Sequence, residues 1–377
     1  MYYSKFQDIK LSMLGMGNMR LPRKEGGGPN DIDLAKSQEM IDYCMAHGIN
    51  YYDTAYVYNN GESERVLGEC LKSYPRDKFY IADKFNYRAN PDYKAVFQEQ
   101  LERLQTDHID FYLIHCLLDS NIDDYINCGA IEYFLKLKDE GKISYLGFST
   151  HASVDTLKKF VAHHAWDFVQ IQCNYFDWVF GTAAEEYKVL DDLKIPTMIM
   201  EPVRGGKLSH LTDELDAKLK EKEKYWSVSS WALRFAQSLP QVRVVLSGMS
   251  TLDHVKDNID TFSDGEIFTE EHRELILETA KEFRSQIVVP CTACRYCTED
   301  CPMQINIPAY LAVLNDMKVD GSGEVKKYKE IVSEGKPGDC ISCYACTGHC
   351  PQSIEIPKYM AELAEAIEKY EADHKDN

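Results

Sequence analysis

Asp53, Tyr58, Lys84 and His115 are the residues of this chain best suited to moving a proton on a small molecule. Asp53 closes the run Ile49–Asp53, Lys84 closes Phe79–Lys84 and His115 closes Ile109–His115, while Tyr58 lies in the loop after the first run. A tyrosine hydroxyl has an ordinary pKa of about 10. A nearby ammonium favours the phenolate, so Lys84 is expected to lower that value toward neutrality. Asp53 would hold Lys84 charged and in place. Tyr58 would then donate a proton to a carbonyl oxygen that His115 hydrogen-bonds and orients. No nucleophile stands with its own base, so acyl transfer is not suggested. Protonating a carbonyl oxygen also requires a hydride source, which in proteins is a nicotinamide or a flavin.

The second chemical signal is the cysteines. Of 13 in the chain, Cys44, Cys70, Cys116, Cys128 and Cys173 are scattered, and the other eight lie between Cys291 and Cys350. In a reducing compartment such crowding indicates metal more than disulfides. Cys291, Cys294, Cys297 and Cys301-Pro302 repeat after 49 residues as Cys340, Cys343, Cys346 and Cys350-Pro351. The repeat continues from Ile305-Asn306-Ile307-Pro308 to Ile354-Glu355-Ile356-Pro357. Each copy is the C-x2-C-x2-C-x3-C-P run that ligates a cubane iron–sulfur cluster, its fourth Cys serving the other cluster. The expected sets are Cys291, Cys294, Cys297 and Cys350 on one [4Fe–4S], and Cys340, Cys343, Cys346 and Cys301 on the second. A zinc site more often offers two separate CxxC pairs.

These residues need elements to position them. Eight β-branched or aromatic runs alternate with segments of helical period: 11–16, 49–53, 79–84, 109–115, 143–149, 168–174, 197–201 and 242–247. Helical patterns fall at 33–47, 62–74, 92–105, 124–140, 154–162, 183–193, 228–238 and 252–260, with a further one at 270–284. That rhythm predicts an α/β fold, a (β/α)8 TIM barrel, whose chemistry sits where strands end in loops. A doubly wound sheet would open with GxGxxG, and Gly15-Met16-Gly17-Asn18-Met19-Arg20 does not fit. After the barrel, helical periodicity at 309–319, 325–333 and 358–370 predicts a small, mainly helical ferredoxin-like domain. The domains are expected at 1–286 and 287–377.

The N-terminal part resembles the aldo-keto reductases over roughly residues 5–265. The resemblance is carried by Tyr52-Asp53-Thr54-Ala55-Tyr56-Val57-Tyr58, Ala82-Asp83-Lys84, Tyr112-Leu113-Ile114-His115, Leu146-Gly147-Phe148-Ser149 and Ser247-Gly248-Met249-Ser250 with Asn258. It implies a TIM barrel, NAD(P)H-linked reduction of an aldehyde or ketone, and Asp53, Tyr58, Lys84 and His115 as catalytic tetrad. It further implies that Ser149 and Gln170 bind the nicotinamide carboxamide and that Asn258 contacts adenine. Ser247, Gly248 and Ser250 would bind phosphate. Thr150 stands where the family usually has Asn, Glu201 where an aromatic often stacks on the nicotinamide, and His254 where NADPH-preferring members often place Arg. Arg204 and Lys207 are the alternative source of charge for a phosphate. NADPH and NADH both stay open as the cofactor.

The formal net charge of −19 argues against a nucleic-acid partner, and an acidic surface disfavours anionic membranes. No run approaches the roughly 18 apolar residues of a membrane span, and the N-terminal residues lack the basic and apolar regions of a signal peptide. A cytoplasmic location is expected. The expected partners are a small carbonyl substrate and an external redox carrier. Hydride carries two electrons and a cubane passes one, so a flavin or radical step would be needed to join them, and no flavin motif is visible. Two other readings follow: an electron-transfer or redox-sensing subunit whose barrel binds nucleotide without turnover, and a flavin-dependent reductase using the same pocket.

Overall fold

The computed structural model describes residues 1–28, 30–284, 289–320 and 322–374. They divide into two compact units, one of Met1–Val203 and Asp216–Leu277, the other of Arg204–Leu215 and Glu278–Asn377. The boundary expected at 286/287 lies outside the described residues, as do the last three residues of the charged C-terminal tail.

The first unit opens with an antiparallel hairpin, β1 (Tyr3–Phe6) and β2 (Ile9–Ser12). Eight parallel strands follow: β3 (Leu14–Gly17), β4 (Tyr51–Asp53), β5 (Tyr80–Phe85), β6 (Ile109–Leu117), β7 (Ile143–Thr150), β8 (Phe168–Gln172), β9 (Thr197–Met200) and β10 (Val242–Ser247). They close into a barrel in chain order, β10 pairing with β3 through Val245–Leu14 and Ser247–Met16. This is the TIM barrel. The run expected as one strand at 11–16 is split at Met13, whose N–H bonds Tyr2 O, so Leu11 belongs to the hairpin. The hairpin then drives Phe6 against Phe111 and Tyr145, at ring-centroid distances of 5.3 and 4.9 Å. Tyr51, Phe111, Phe168 and Val244, near the strand starts, are buried around it. That apolar seal leaves the opposite, C-terminal ends of the strands as the mouth.

The helix expected over 124–140 is two helices, Ile122–Asn127 and Ala130–Asp139, because Gly129 between them has φ +81°. The helix Tyr175–Phe180 was not expected; Asn174 caps it by accepting from the N–H groups of Phe176 and Asp177.

The second unit is helical and repeats. Short helices Tyr296–Glu299 and Ala345–Gly348 carry the third cysteine of each copy, and longer ones, Ile307–Asp320 and Ile356–Asp373, begin within the Ile-x-Ile-Pro copies. The expected helix over 325–333 is a 3-10 segment, Ser322–Glu330. A compact core of Ile305, Ile307, Leu314, Ile356, Met360 and Leu363 joins both copies.

Candidate functional site

At the barrel mouth, β4 ends at Asp53 and β5 carries Lys84 one residue before its end. The Lys84 Nζ donates to Asp53 Oδ1 and to the Thr54 carbonyl, each at 2.5 Å. Both side chains are buried. The same ammonium lies 5.0 Å from the centre of the Tyr58 ring. Tyr58 meets the His115 imidazole edge to face, with ring centroids 5.8 Å apart. The strand ends thus bring all four side chains together.

The electrostatics differ from the sequence expectation at Tyr58. Burial raises its pKa well above the ordinary 10, and Asp53, Cys116, Glu201 and Asp83 raise it further. Lys84, 5.0 Å from the ring, does not offset this. The expectation of an acidified phenol is therefore corrected: Tyr58 is held as the protonated phenol. Burial, with help from Lys84 and His151, pushes His115 well below 6.5, so its ring is neutral near pH 7. Burial raises Asp53, opposed by Lys84.

Three residues of this mouth were not singled out from sequence, or only weakly. His151 follows β7 and is lowered to about 4 by burial. Cys116 has φ +57° and its N–H donates to Ser149 Oγ at 2.9 Å. Burial pushes its thiol up to about 12. Glu201 follows β9 and has φ +53°. All three act electrostatically on Tyr58 or His115, a proximity that strand patterns alone do not reveal.

Ser149 and Gln170 pair in register across β7 and β8. Gln170 donates to Met200 Sδ at 3.5 Å, and its buried Oε1 has no hydrogen-bond partner among the described residues. An orphaned buried amide oxygen fits the NH2 of a carboxamide. After β10, Asn258 Nδ2 donates to Ser247 Oγ at 2.9 Å, and the N–H of Ser250 donates to His254 Nδ1 at 3.4 Å. Ser250 Oγ donates to the Arg20 carbonyl at 2.8 Å. Gly248 lies under Arg20, whose Cδ would stand 3.3 Å from a Cβ added there. Arg20 is thus a cation at the phosphate-type loop that sequence reading missed, since only barrel closure brings β3 beside β10.

Arg204 is corrected. It belongs to the compact unit that carries the cysteine repeat, is 2% exposed, and donates to Pro290 O and Gln352 Oε1 at 3.2 and 3.4 Å. A buried guanidinium spent on those oxygens is not presented to a nucleotide phosphate. Lys207 lies in the same unit.

In that unit the thiols ring two hollows. Cys291, Cys294, Cys297 and Cys350 line one of about 290 Å³, and Cys301, Cys340, Cys343 and Cys346 line one of about 350 Å³. The grouping is the crossed one expected from the spacing. Burial and then the neighbouring Cys294, Cys291 and Cys350 raise the Cys297 thiol. Such crowding resists ionisation of the thiol. Among the described residues no three His, Cys, Asp or Glu side chains converge as a single ion requires. A cubane instead takes its four ligands at separate corners, and each hollow is lined by four thiols. The Ala293 N–H already points to Cys291 Sγ at 3.4 Å.

Fold and mouth together define a barrel oxidoreductase joined to an iron–sulfur type domain. The chain belongs to the aldo/keto reductase family, whose model matches residues 13–276, and residues 290–355 match a 4Fe-4S dicluster domain. It is 25% identical over 309 residues to the "Uncharacterized oxidoreductase YqkF" of Bacillus subtilis (strain 168), covering 73% of this chain and 95% of that protein. Over 212 residues it is 34% identical to "Probable aldo-keto reductase 1" of Glycine max, covering 53% of this chain and 58% of that protein. Among solved structures it resembles the aldo-keto reductase AKR11C1 from Bacillus halodurans in its holo form. There the TM-score is 0.62 and the identity 27%, covering 74% of this chain and 96% of that one. An aldo-keto reductase from Klebsiella pneumoniae in complex with NADPH shares the fold, with a TM-score of 0.59 at 18% identity over 75% of this chain and 96% of that one. Among the described residues no helix is long and apolar enough to cross a membrane.

Proposed function

We propose that the barrel reduces the carbonyl of a small aldehyde or ketone, with Tyr58 as proton donor. The observation that carries this reading is the single cluster of Asp53, Lys84, Tyr58 and His115 at the mouth, with the Lys84 Nζ 2.5 Å from Asp53 Oδ1 and 5.0 Å from the Tyr58 ring. Tyr58 is a phenol at neutral pH and can give its Oη proton to a developing alkoxide. His115, neutral and buried, directs a ring N–H at the same oxygen and fixes the carbonyl's orientation. The Asp53–Lys84 pair packs against the phenol ring and fixes its place at the mouth.

A nicotinamide cofactor, when bound, supplies the hydride. Gln170 and Ser149 would hold its carboxamide, and Ser247, Gly248, Ser250, His254 and Asn258 its phosphate and adenine end. Arg20 is a cation beside that loop, whether the cofactor is NADPH or NADH. The eight cysteines of the repeat would hold two [4Fe–4S] clusters, which supply one-electron exchange with an external carrier. The all-thiolate donor set and the two hollows support this assignment.

The decisive experiment assays anaerobically purified protein for NADPH- and NADH-dependent reduction of a carbonyl panel. Tyr58→Phe is expected to lower kcat by roughly 10²–10⁴-fold with the fold intact. Equal rates for Tyr58→Phe and the unaltered protein would overturn the proposal.

A further inference from the structure

The internal repeat duplicates the walls of the two hollows as well as the cysteines. Adding 49 to a residue number carries Pro308 and Leu311 of the first hollow onto Pro357 and Met360 of the second. Subtracting 49 carries Ile354 and Ile356 onto Ile305 and Ile307. The backbone repeats as closely. The left-handed residues pair as Ala293 with Ser342 (φ 55° and 51°), Arg295 with Tyr344 (70° and 60°), and Gln304 with Ser353 (both 51°). The two hollows are therefore one design used twice, and any difference between their walls stands out against an otherwise constant frame.

Three pairs break the symmetry, all in one direction. Thr292, Arg295 and Gln352 line the first hollow; Ile341, Tyr344 and Met303 take their places in the second. A hydroxyl, a guanidinium and an amide face a set that is apolar except for one phenol. Behind the first wall, the buried Arg204 donates to Gln352 Oε1 and to the carbonyl of Pro290, the residue before Cys291. That fixes the amide and adds a second positive charge. Near the second hollow, Lys358 is exposed, its ammonium 5.8 Å from the centre of the Tyr359 ring.

We propose that Thr292, Arg295 and Gln352, with Arg204 behind them, set the reduction potential of a cluster in the first hollow above that of a cluster in the second. This rests on the reading that the eight cysteines hold two cubanes. A cubane with four thiolates is anionic, and reduction adds one more negative charge. A guanidinium and hydrogen-bond donors in the wall stabilise that charge; hydrocarbon does not. Solvent at the rim of the second hollow, where Ile341 and Tyr344 are 61% and 57% exposed, acts in the opposite sense. The half-buried Arg295 in the wall and the buried Arg204 behind it outweigh that solvent, because water at the rim screens weakly at the cluster's buried faces. An electron given to either site therefore settles on the first. The second cluster returns from the 1+ to the 2+ state as the first passes from 2+ to 1+, and no proton moves.

The test is a redox titration of the full chain with reconstituted clusters, followed by electron paramagnetic resonance, with iron and sulfide measured on each preparation. The unaltered protein should reduce in two separated steps. Arg295→Tyr places there a residue whose counterpart already adopts the same left-handed backbone, and should shift only the higher step downward. Tyr344→Arg should shift only the lower step upward, and Arg295→Lys should leave both where they were. Coincident steps in the unaltered protein, or a shift of the lower step in Arg295→Tyr, would overturn the assignment while leaving the two-cluster reading intact. Protein that binds no iron on reconstitution would overturn both.

Discussion

The barrel and the cysteine-bearing unit hold their polar groups by opposite means. In the barrel, Lys84 and Asp53 are both buried and paired with one another, so that ion pair is built before any ligand arrives. In the other unit, Cys297 and Cys346 are themselves part of the apolar core, and the four-thiol hollows interrupt that core twice. Packing alone can define the first arrangement. The second leaves thiols crowded against one another, and their best stabilisation is the group they bind. If the thiols hold the proposed clusters, one chain contains a site that folding makes and a site that helps make folding.

The largest expected effect follows from that contrast. Stripping iron with a chelator and a mild oxidant should abolish hydrogen-exchange protection through Ile307–Asp320 and Ile356–Asp373, while β5 and β6 stay protected. Protection retained in both helices would mean that the cysteine-bearing unit also folds on its own packing, and the contrast would fail.

Lys84→Met tests the barrel's side. It leaves the Asp53 carboxylate buried at a site where, among the described residues, its charged partner in hydrogen-bond reach was the lost ammonium. Breaking such a pair costs about 3–5 kcal/mol, readable as a lower denaturation midpoint. Asp53→Asn combined with Lys84→Met should restore part of that loss, since no charge is then stranded. A single variant as stable as the unaltered protein would show that the pair is not a structural element of the barrel.

Where each region was legible in the sequence has the same physical origin. Asp53, Lys84 and His115 could be found because each ends a period-two or apolar run, and a parallel barrel sends all such ends to one mouth. The thiol grouping could be read because three cysteines in step can wrap only one face of a cube. What escaped depends on contacts between distant segments. Arg20 and Gly248 are neighbours only because β10 pairs with β3. Arg204 is not legible as a structural residue because the oxygens that hold it, on Pro290 and Gln352, are far away in sequence. The acidified phenol was wrong for a related reason: the nearest cation was counted, but not the burial of the ring, which does most to raise it.

A smaller effect is expected at the distal end of the barrel site. Asn258 holds Ser247 through a 2.9 Å bond from its Nδ2 to the serine Oγ. Asn258→Ala removes one neutral hydrogen bond, worth about 0.5–1.5 kcal/mol. The KM for the nicotinamide cofactor should rise a few-fold, up to roughly tenfold, with kcat nearly constant. A large fall in kcat instead would place Asn258 closer to the reacting carbonyl than its position in the helix Leu252–Thr261 allows.

The smallest effect is an absence of change, and it separates the buried phenol from an acidified one. Tyr58 is raised above the ordinary tyrosine value, chiefly by burial, so the donor form persists until the solution is more alkaline than about pH 10. His115 is lowered, so its neutral form persists down to values below about 6.5. Between those limits neither group changes charge, and kcat/KM for carbonyl reduction should vary less than about twofold from pH 7 to 9. A Lys84 charge acting on the phenol without its Asp53 partner would instead give a fall on the alkaline side within that window. Asp53→Asn supplies that case directly: freeing the ammonium should bring the alkaline limb down toward neutrality. If the limb does not move, the pairing of Lys84 with Asp53 is not what keeps Tyr58 protonated, and burial alone accounts for it.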